Sequence, residues 1–379
     1  MSARAKSPAG RDRLIRDQAM APVLAAPQLG SEDPARRKRS HPLRVPLSVS
    51  AVVLLGAMLL ATAVGPASIG LPDVIGTILS HMPFLHVHPA PSPIYQAIVW
   101  DVRLPRVVLA ALVGAMLAAG GTSYQGVLRN SLADPFLLGV AAGAGLGATV
   151  AIVTGHGGGI VLPAAAFIGA ILAVTLTYLV AAAGGAQATG YAILLAGVAI
   201  AAMLTAIQTY LQQRHTEEIR QIYNWILGSF SVASWSDVRL VLPYAVLSAA
   251  VLLAHRRVLD VLRVGGDEAS SLGIHPARSR LIIVAAATLG TAAAVSVSGL
   301  IGFVGIIVPH AVRLATSASY RVVLPVSMVC GAAFLVLADL AARTLESPTE
   351  LPVGVVTAVA GAPFFLVVLR SRRTRHGVL

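Results

Sequence analysis

The chain of 379 residues has one cysteine, Cys330, two lysines, Lys6 and Lys38, and only 12% charged residues. Each shortage excludes something. A single cysteine forbids an intrachain disulfide. Neither lysine follows a glycine, so there is no GxxxxGK[ST] phosphate loop and no ATP site of that kind. HExxH and GxSxG are missing as well, and no carboxylate pair stands at helical spacing within an apolar stretch to hold a metal. So little charge excludes an ordinary soluble domain, which carries about twice as much. The hydrophobic fraction of 56% and the 35 glycines describe a helical membrane protein instead.

What is present is a series of apolar stretches of bilayer-spanning length, at Leu47–Val64, Val107–Tyr124, Phe136–Val153, Ile160–Ala183, Tyr191–Leu211, Leu240–Ala254, Leu281–Val312, Val322–Ala342 and Leu351–Leu369. A helix crosses the hydrocarbon in about 20 residues. The run from Leu281 to Val312 is too long for one crossing; Ser296, Ser298 and Gly299 offer a turn, and Pro309 is expected to end the second piece. Counting it as two gives ten spans, the eighth a short helix shielded by protein.

Charge parity supports ten. With ten spans and both termini cytosolic, 22 of the 28 basic residues face the cytosol, leaving Arg103, Arg106, Arg214, Arg220, Arg239 and Arg343 outside; nine spans would leave 17 inside. The net charge of +12 therefore reflects orientation rather than nucleic-acid binding, since the basic residues flank apolar segments and are not interleaved with aromatics. Residues 1–46 hold ten Arg or Lys and no long apolar block, and read as a disordered cytosolic tail whose expected contact is anionic lipid headgroups. Residues 371–379 form a second basic cytosolic tail.

Small residues at four-residue spacing, Ala110, Gly114 and Ala118, then Gly139, Gly143 and Gly147, make stripes that let helix backbones approach closely. No strand precedes the glycines of the second stripe, so it is a packing surface rather than a nucleotide loop. Asp339 lies four residues before Arg343 on one helical face; it forms an intrahelical pair or belongs to a permeation path. His81, His86 and His88 share an outer loop without acidic or cysteine neighbours and read as surface residues rather than metal ligands.

The segment Arg103-Leu-Pro-Arg106, then Gly114, Gly120, Gln125, Arg129-Asn130-Ser131-Leu-Ala-Asp134-Pro135 and Leu138-Gly-Val, resembles the FecCD family of ABC-importer permeases, which includes iron-siderophore and cobalamin permeases. Further blocks follow in family order. They are Trp225-Ile-Leu-Gly-Ser-Phe with Trp235, Asp267 to Gly273, Gly302-Phe-Val-Gly with Val308-Pro309-His310 and Arg313, Asp339 with Arg343, Glu350 to Thr357, and Gly361-Ala-Pro363-Phe364. The resemblance covers about residues 47–370. Ser131 departs from it, standing where a proline usually follows the asparagine and fixes φ. The basic N-terminal tail is also additional to the family core.

That resemblance implies an all-α integral membrane fold of about ten helices, a BtuC-like type II ABC-importer permease. It implies a second permease subunit, homo- or heterodimeric, two cytosolic ATPase subunits that bind ATP and Mg, and an extracytoplasmic binding protein. This chain would be neither an enzyme nor the holder of a cofactor or metal. Arg103, Arg106 and Arg343 become the residues expected to meet carboxylates of the binding protein, a task that suits the planar guanidinium fork; the alternative is that they anchor helix ends at headgroups. Within the cytosolic loop 264–280, Gly265-Gly266 before Asp267 and Glu268 reads as a helix start, while Leu272-Gly273 reads as its stop, with Pro276 preventing continuation. By resemblance Asp267, Glu268, Ala269, Ser271, Leu272 and Gly273 form the element that couples to the ATPase.

The resemblance also places Leu195, Gly197, Thr205 and Gln208 of the fifth span, and Gly354, Thr357 and Pro363 of the tenth, along the translocation path. Gln125, Asn130, Asp134, Pro135, Pro309, His310 and Arg313 become structural positions. Ferric siderophore is the first cargo the family suggests, with cobalamin and haem as alternatives. An ion-gradient carrier would bury ionisable residues at mid-depth, where these spans have almost none. An intramembrane hydrolase would have to use His310 with Ser296 or Ser298. Reporter fusions at either terminus should signal the cytosolic side of a multi-pass cell-membrane protein; one terminus mapped to the far side would overturn the ten-span topology.

Overall fold

A computed structural model describes residues 43–65, 69–81, 92–183, 190–271 and 273–376. Most of the N-terminal tail, His86, His88 and Leu272 lie outside the described residues, as do the side chains of Asp267 and Glu268. The described chain folds into fourteen helices without a strand. They are α1 (Arg44–Ala63), α2 (Leu71–Ser80), α3 (Pro93–Val127), α4 (Val140–Val153), α5 (Val161–Ala183), α6 (Gly190–Arg214), α7 (Ile219–Ile226), α8 (Trp235–Ala254), α9 (Arg256–Val264), α10 (Gly266–Ser271), α11 (Pro276–Ser298), α12 (Val304–Ala315), α13 (Tyr320–Thr344) and α14 (Val353–His376).

Seven of these, α1, α3, α5, α6, α8, α11 and α13, are long and apolar enough to cross a bilayer. The other three expected spans are α4, α12 and the Val353–Leu366 part of α14, all shorter apolar helices. A 14-residue α4 and a 12-residue α12 cannot span about 30 Å of hydrocarbon alone, and both bury much of their surface against neighbours.

Several boundaries differ from the sequence reading. α3 starts at Pro93, not Val107, because Asp101, Arg103 and Arg106 sit inside the helix and break only the apolar run; a π turn occupies Ile98–Arg103. α8 starts at Trp235, where Ser234 and Asp237 form a capping box. The polar connection between α8 and α11 contains the amphipathic α9, which buries Leu259 and Leu262. α2 is a helix the sequence reading did not anticipate. Helix extends from Arg44 and to His376, so the span boundaries take in the ends of both predicted tails. The break after Ser298 is where expected, but Pro309 does not end α12, which runs on to Ala315.

α3 is the centre of the bundle, packed on α13, α11, α12 and α8, and buried along most of its length from Pro105 to Val127. Small residues allow this. A side chain at Gly114 would overlap the Gly331 carbonyl of α13, and one at Gly121 would overlap Gly305 of α12. α4 lies on α5 in the same way, Gly143 against Gly169 and Gly147 against Ala165. Gly139 leaves the expected stripe: it takes φ +86° as the turn residue before α4. Packing this tight has no slack for added volume. Gly114→Leu should destabilise the detergent-solubilised protein by about 1–3 kcal/mol in thermal unfolding, while Gly158→Ala, in open space, should not shift the transition. Equal melting of both would contradict the α3–α13 contact.

Candidate functional site

Two polar clusters stand at opposite ends of α13, separated by its 25 residues, about 35 Å of helix. At the C-terminal end, α1 stops at Ala63 and leaves carbonyls without intrahelical donors. Arg103 Nη1 donates to Thr62 O at 2.9 Å and to Ala63 O at 2.7 Å, and Arg343 Nη2 donates to Ala61 O. Two guanidinium groups thus close the negative end of one helix dipole. Between them Arg106 is gripped on two edges. Its Nε and Nη2 donate to Asp339 at 2.8–3.1 Å, and its Nη1 and Nη2 donate to the two Glu350 oxygens at 2.9 and 3.0 Å.

The three arginines expected at the surface are buried, with exposures of 4% for Arg103, 7% for Arg106 and 6% for Arg343. Most of their donors serve carbonyls and carboxylates of this chain, while Arg343 Nε makes no hydrogen bond and stands 3.9 Å from Asp339 Oδ2. The expectation of three free docking forks therefore needs correction. Helix ends and buried acids must find partners in the interior, and arginine meets both needs. Asp339 is paired, but chiefly with Arg106 of another helix; its contact with Arg343 is longer, at 3.9 Å.

At the other end, Gln125 explains how α12 contains a proline. Pro309 has no N–H for the carbonyl of Gly305, four residues earlier. The Gln125 amide replaces it, Nε2 donating to Gly305 O at 2.9 Å, while Arg313 Nη1 donates to Gln125 Oε1 at 2.6 Å and fixes which way the amide points. The Arg313 guanidinium lies over the Tyr320 ring, 5.5 Å from its centre. Nearby, Asn130 Oδ1 accepts from Leu132 N at 2.9 Å, holding the turn although Ser131 replaces the usual proline. Asp134 Oδ1 accepts from Phe136 N at 2.8 Å, starting the 3-10 turn Pro135–Leu138. Burial pushes the Asp134 carboxyl up to about 6, against the opposing pull of the Phe136 N–H. His310 meets the edge of Phe364 at 6.2 Å.

The predicted coupling element is α10, six residues long. Ala269 N donates to Gly265 O at its start. At its end Gly273 N donates to Ser270 O and Ile274 N to Ala269 O, a Schellman closure with Gly273 at φ +78°. Pro276 starts α11 instead of merely stopping α10. Ala269 is buried and Ser271 exposed. Asp260 of α9 escaped the sequence reading. Its oxygens accept from Tyr320 N and Ser319 Oγ, both at 2.7 Å, so α9 caps α13 directly. The paired Leu259 and Leu262 were the available signal for this helix.

Residues expected along the path separate into two groups. Leu195, Thr205 and Pro363 lie on exposed faces of α6 and α14. Gln208 and Thr357 are buried, Gly197 abuts the Leu137 carbonyl and Gly354 the Leu227 carbonyl, so in this chain these four pack inward. The hydroxyls of Ser296 and Ser298 donate to Ala293 O and Ala294 O of their own helix, which does not suit a nucleophile. His81 stacks on Trp100 at 3.9 Å, and no metal-holding group occurs among the described residues.

A bundle of apolar helices of this kind is what the chain shares with the permeases of transport systems. Residues 53–371 match the FecCD transport family, and the chain belongs to it. It is 41% identical over 359 residues to the cobalamin import system permease protein BtuC of Halobacterium salinarum, covering 86% of this chain and 96% of that one. It is 39% identical to the hemin transport system permease protein HmuU of Yersinia pestis, over 74% and 85% of the two chains. With the Fe(3+)-citrate import system permease protein YfmE of Bacillus subtilis it shares 32% over 88% and 97%. Among solved structures, a metal-chelate type ABC transporter in an inward-facing conformation superposes with a TM-score of 0.75 at 28% identity, covering 86% of this chain and 99% of that one.

If Gln125 stands in for the missing Pro309 amide, Gln125→Ala should cost about 1–3 kcal/mol by stranding the Gly305 carbonyl. Adding Pro309→Ala supplies a backbone N–H and should recover most of the loss in thermal unfolding. A double variant no more stable than Gln125→Ala would contradict the assignment.

Proposed function

We infer that this chain is half of the transmembrane conduit of an ATP-driven importer for a metal chelate, paired with a second permease subunit, powered by two cytosolic ATPase subunits and supplied by an extracytoplasmic binding protein. Family membership carries the importer role. The chelate class rests on the names of relatives, which cover cobalamin, hemin, iron(III) citrate and iron chelates. Ferric siderophore is the first cargo to test, since iron compounds recur among these names. Cobalamin is a second reading, favoured by the 41% identity to a cobalamin permease.

The geometry supports a division of labour along α13. α10 is a short, firmly terminated helix joined to the bundle through α9, and suits a groove in the ATPase. The Arg103, Arg106 and Arg343 cluster lies at the opposite end, where a binding protein would dock, and both termini would face the cytosol. Along the route the exposed Leu195, Thr205 and Pro363 offer only apolar or weakly polar contacts, which suits passage without tight binding.

Cargo is decided by uptake into proteoliposomes holding the complete importer, its binding protein and internal ATP. A ferric siderophore should accumulate only with ATP and all partners present, and Gly273→Val should keep ATP hydrolysis while lowering uptake about tenfold or more, since φ +78° disfavours a branched residue. Accumulation of cobalamin or haem in place of the siderophore would move the cargo assignment; uptake without ATP would refute the importer reading.

A further inference from the structure

Glu350 differs from every other member of the arginine cluster. Arg106 and Asp339 side chains are 9% and 1% exposed, whereas that of Glu350 is 38% exposed. It belongs to the segment between α13 and α14 rather than to a helix. Its two oxygens take the outer edge of Arg106 in a bidentate clasp, the arrangement by which guanidinium binds any carboxylate. Asp339 holds the inner edge from within α13. Arg103 and Arg343 are tied to the end of α1. The outer edge of Arg106 is therefore the place where an acidic group from outside could enter, by exchange with Glu350.

We propose that Glu350 is an internal stand-in for a carboxylate of the docking protein, which displaces it from Arg106. This rests on the reading that the binding protein docks at this end. The exchange keeps Arg106 paired throughout, so no buried cation is stranded, and returns the half-exposed Glu350 to water. It also reaches α14. Leu351 N donates to Ala342 O at 2.9 Å, and Val353 N and Gly354 N donate to the carbonyls of Gly228 and Leu227 at 3.0 and 3.1 Å. A freed Glu350 loosens the first of these ties and leaves the α14 start bonded to the turn at Leu227 and Gly228. The partner is thus an acidic protein surface whose arrival is felt at the head of α14.

The test uses the assembled importer in nanodiscs and its binding protein as analyte. Glu350→Gln should speed association about three- to tenfold, because an approaching carboxylate meets no competitor and one repelling charge fewer. Glu350→Asp retains the carboxylate and should associate within about twofold of the unaltered importer. On the unaltered importer, docking should speed amide exchange at Leu351 about tenfold, a measurement that requires no variant to fold. Unchanged or slower association of Glu350→Gln, or unchanged exchange at Leu351, overturns the stand-in role. Acceleration by both substitutions would assign the effect to loosened packing and also overturn it. Arg106→Gln identifies a deeper failure: association indifferent to that change refutes docking at this end, whereas slowed association beside an inert Glu350→Gln removes only the stand-in.

Discussion

The carbonyl of Gly305 is buried and has lost its helical donor to a proline, so it must find another partner. The Gln125 amide on α3 supplies the bond, and Arg313 on α12 holds the amide in the correct sense. The same α3 carries Arg106 near its other end, and Gly114 and Gly121 between. One buried helix thus brings the broken α12, the long α13 and the end of α1 into fixed relation. It does so because Gly114 and Gly121 let neighbouring backbones come close, while Arg106 and Gln125 bond to groups on α13 and α12.

The two ends use the same chemistry differently. Near α12 a neutral amide repairs a backbone defect. Around Arg106 the ligands are charged, unequal in exposure and carried on segments of different rigidity, so one of them can leave while the cation stays satisfied. On the proposed exchange, the cluster near α12 is a fixture and the one around Arg106 holds a replaceable part.

Much of this was legible in the chain. Apolar runs and the placement of arginines predict ten spans, each of which coincides with a helix, and Gly114, Gly143 and Gly147 predict close approaches that occur. The Gly273 stop of α10 follows from local turn chemistry and appears as expected. What could not be read depends on partners distant in sequence. Arg106 meets Asp339 across 233 positions and Glu350 across 244, so hydropathy and charge parity alone would leave it at the surface. Pro309 looks like a helix end until Gln125, also remote, makes good its missing donor. Gly197 and Gly354 look like channel lining, yet a glycine serves equally where another backbone presses close, and here it does.

Asp260 joins two neighbours with one carboxylate, since its oxygens hold both the Ser319 hydroxyl and the Tyr320 amide. A pull on α9 is therefore borne by the first turn of α13 and not dissipated in a slack connection. From that capped turn α13 runs 25 residues, with Pro325 inside it, to the end where Asp339 and Arg343 reside. One acid thus fastens the loop helix to the same helix whose far end carries Asp339 of the Arg106 cluster.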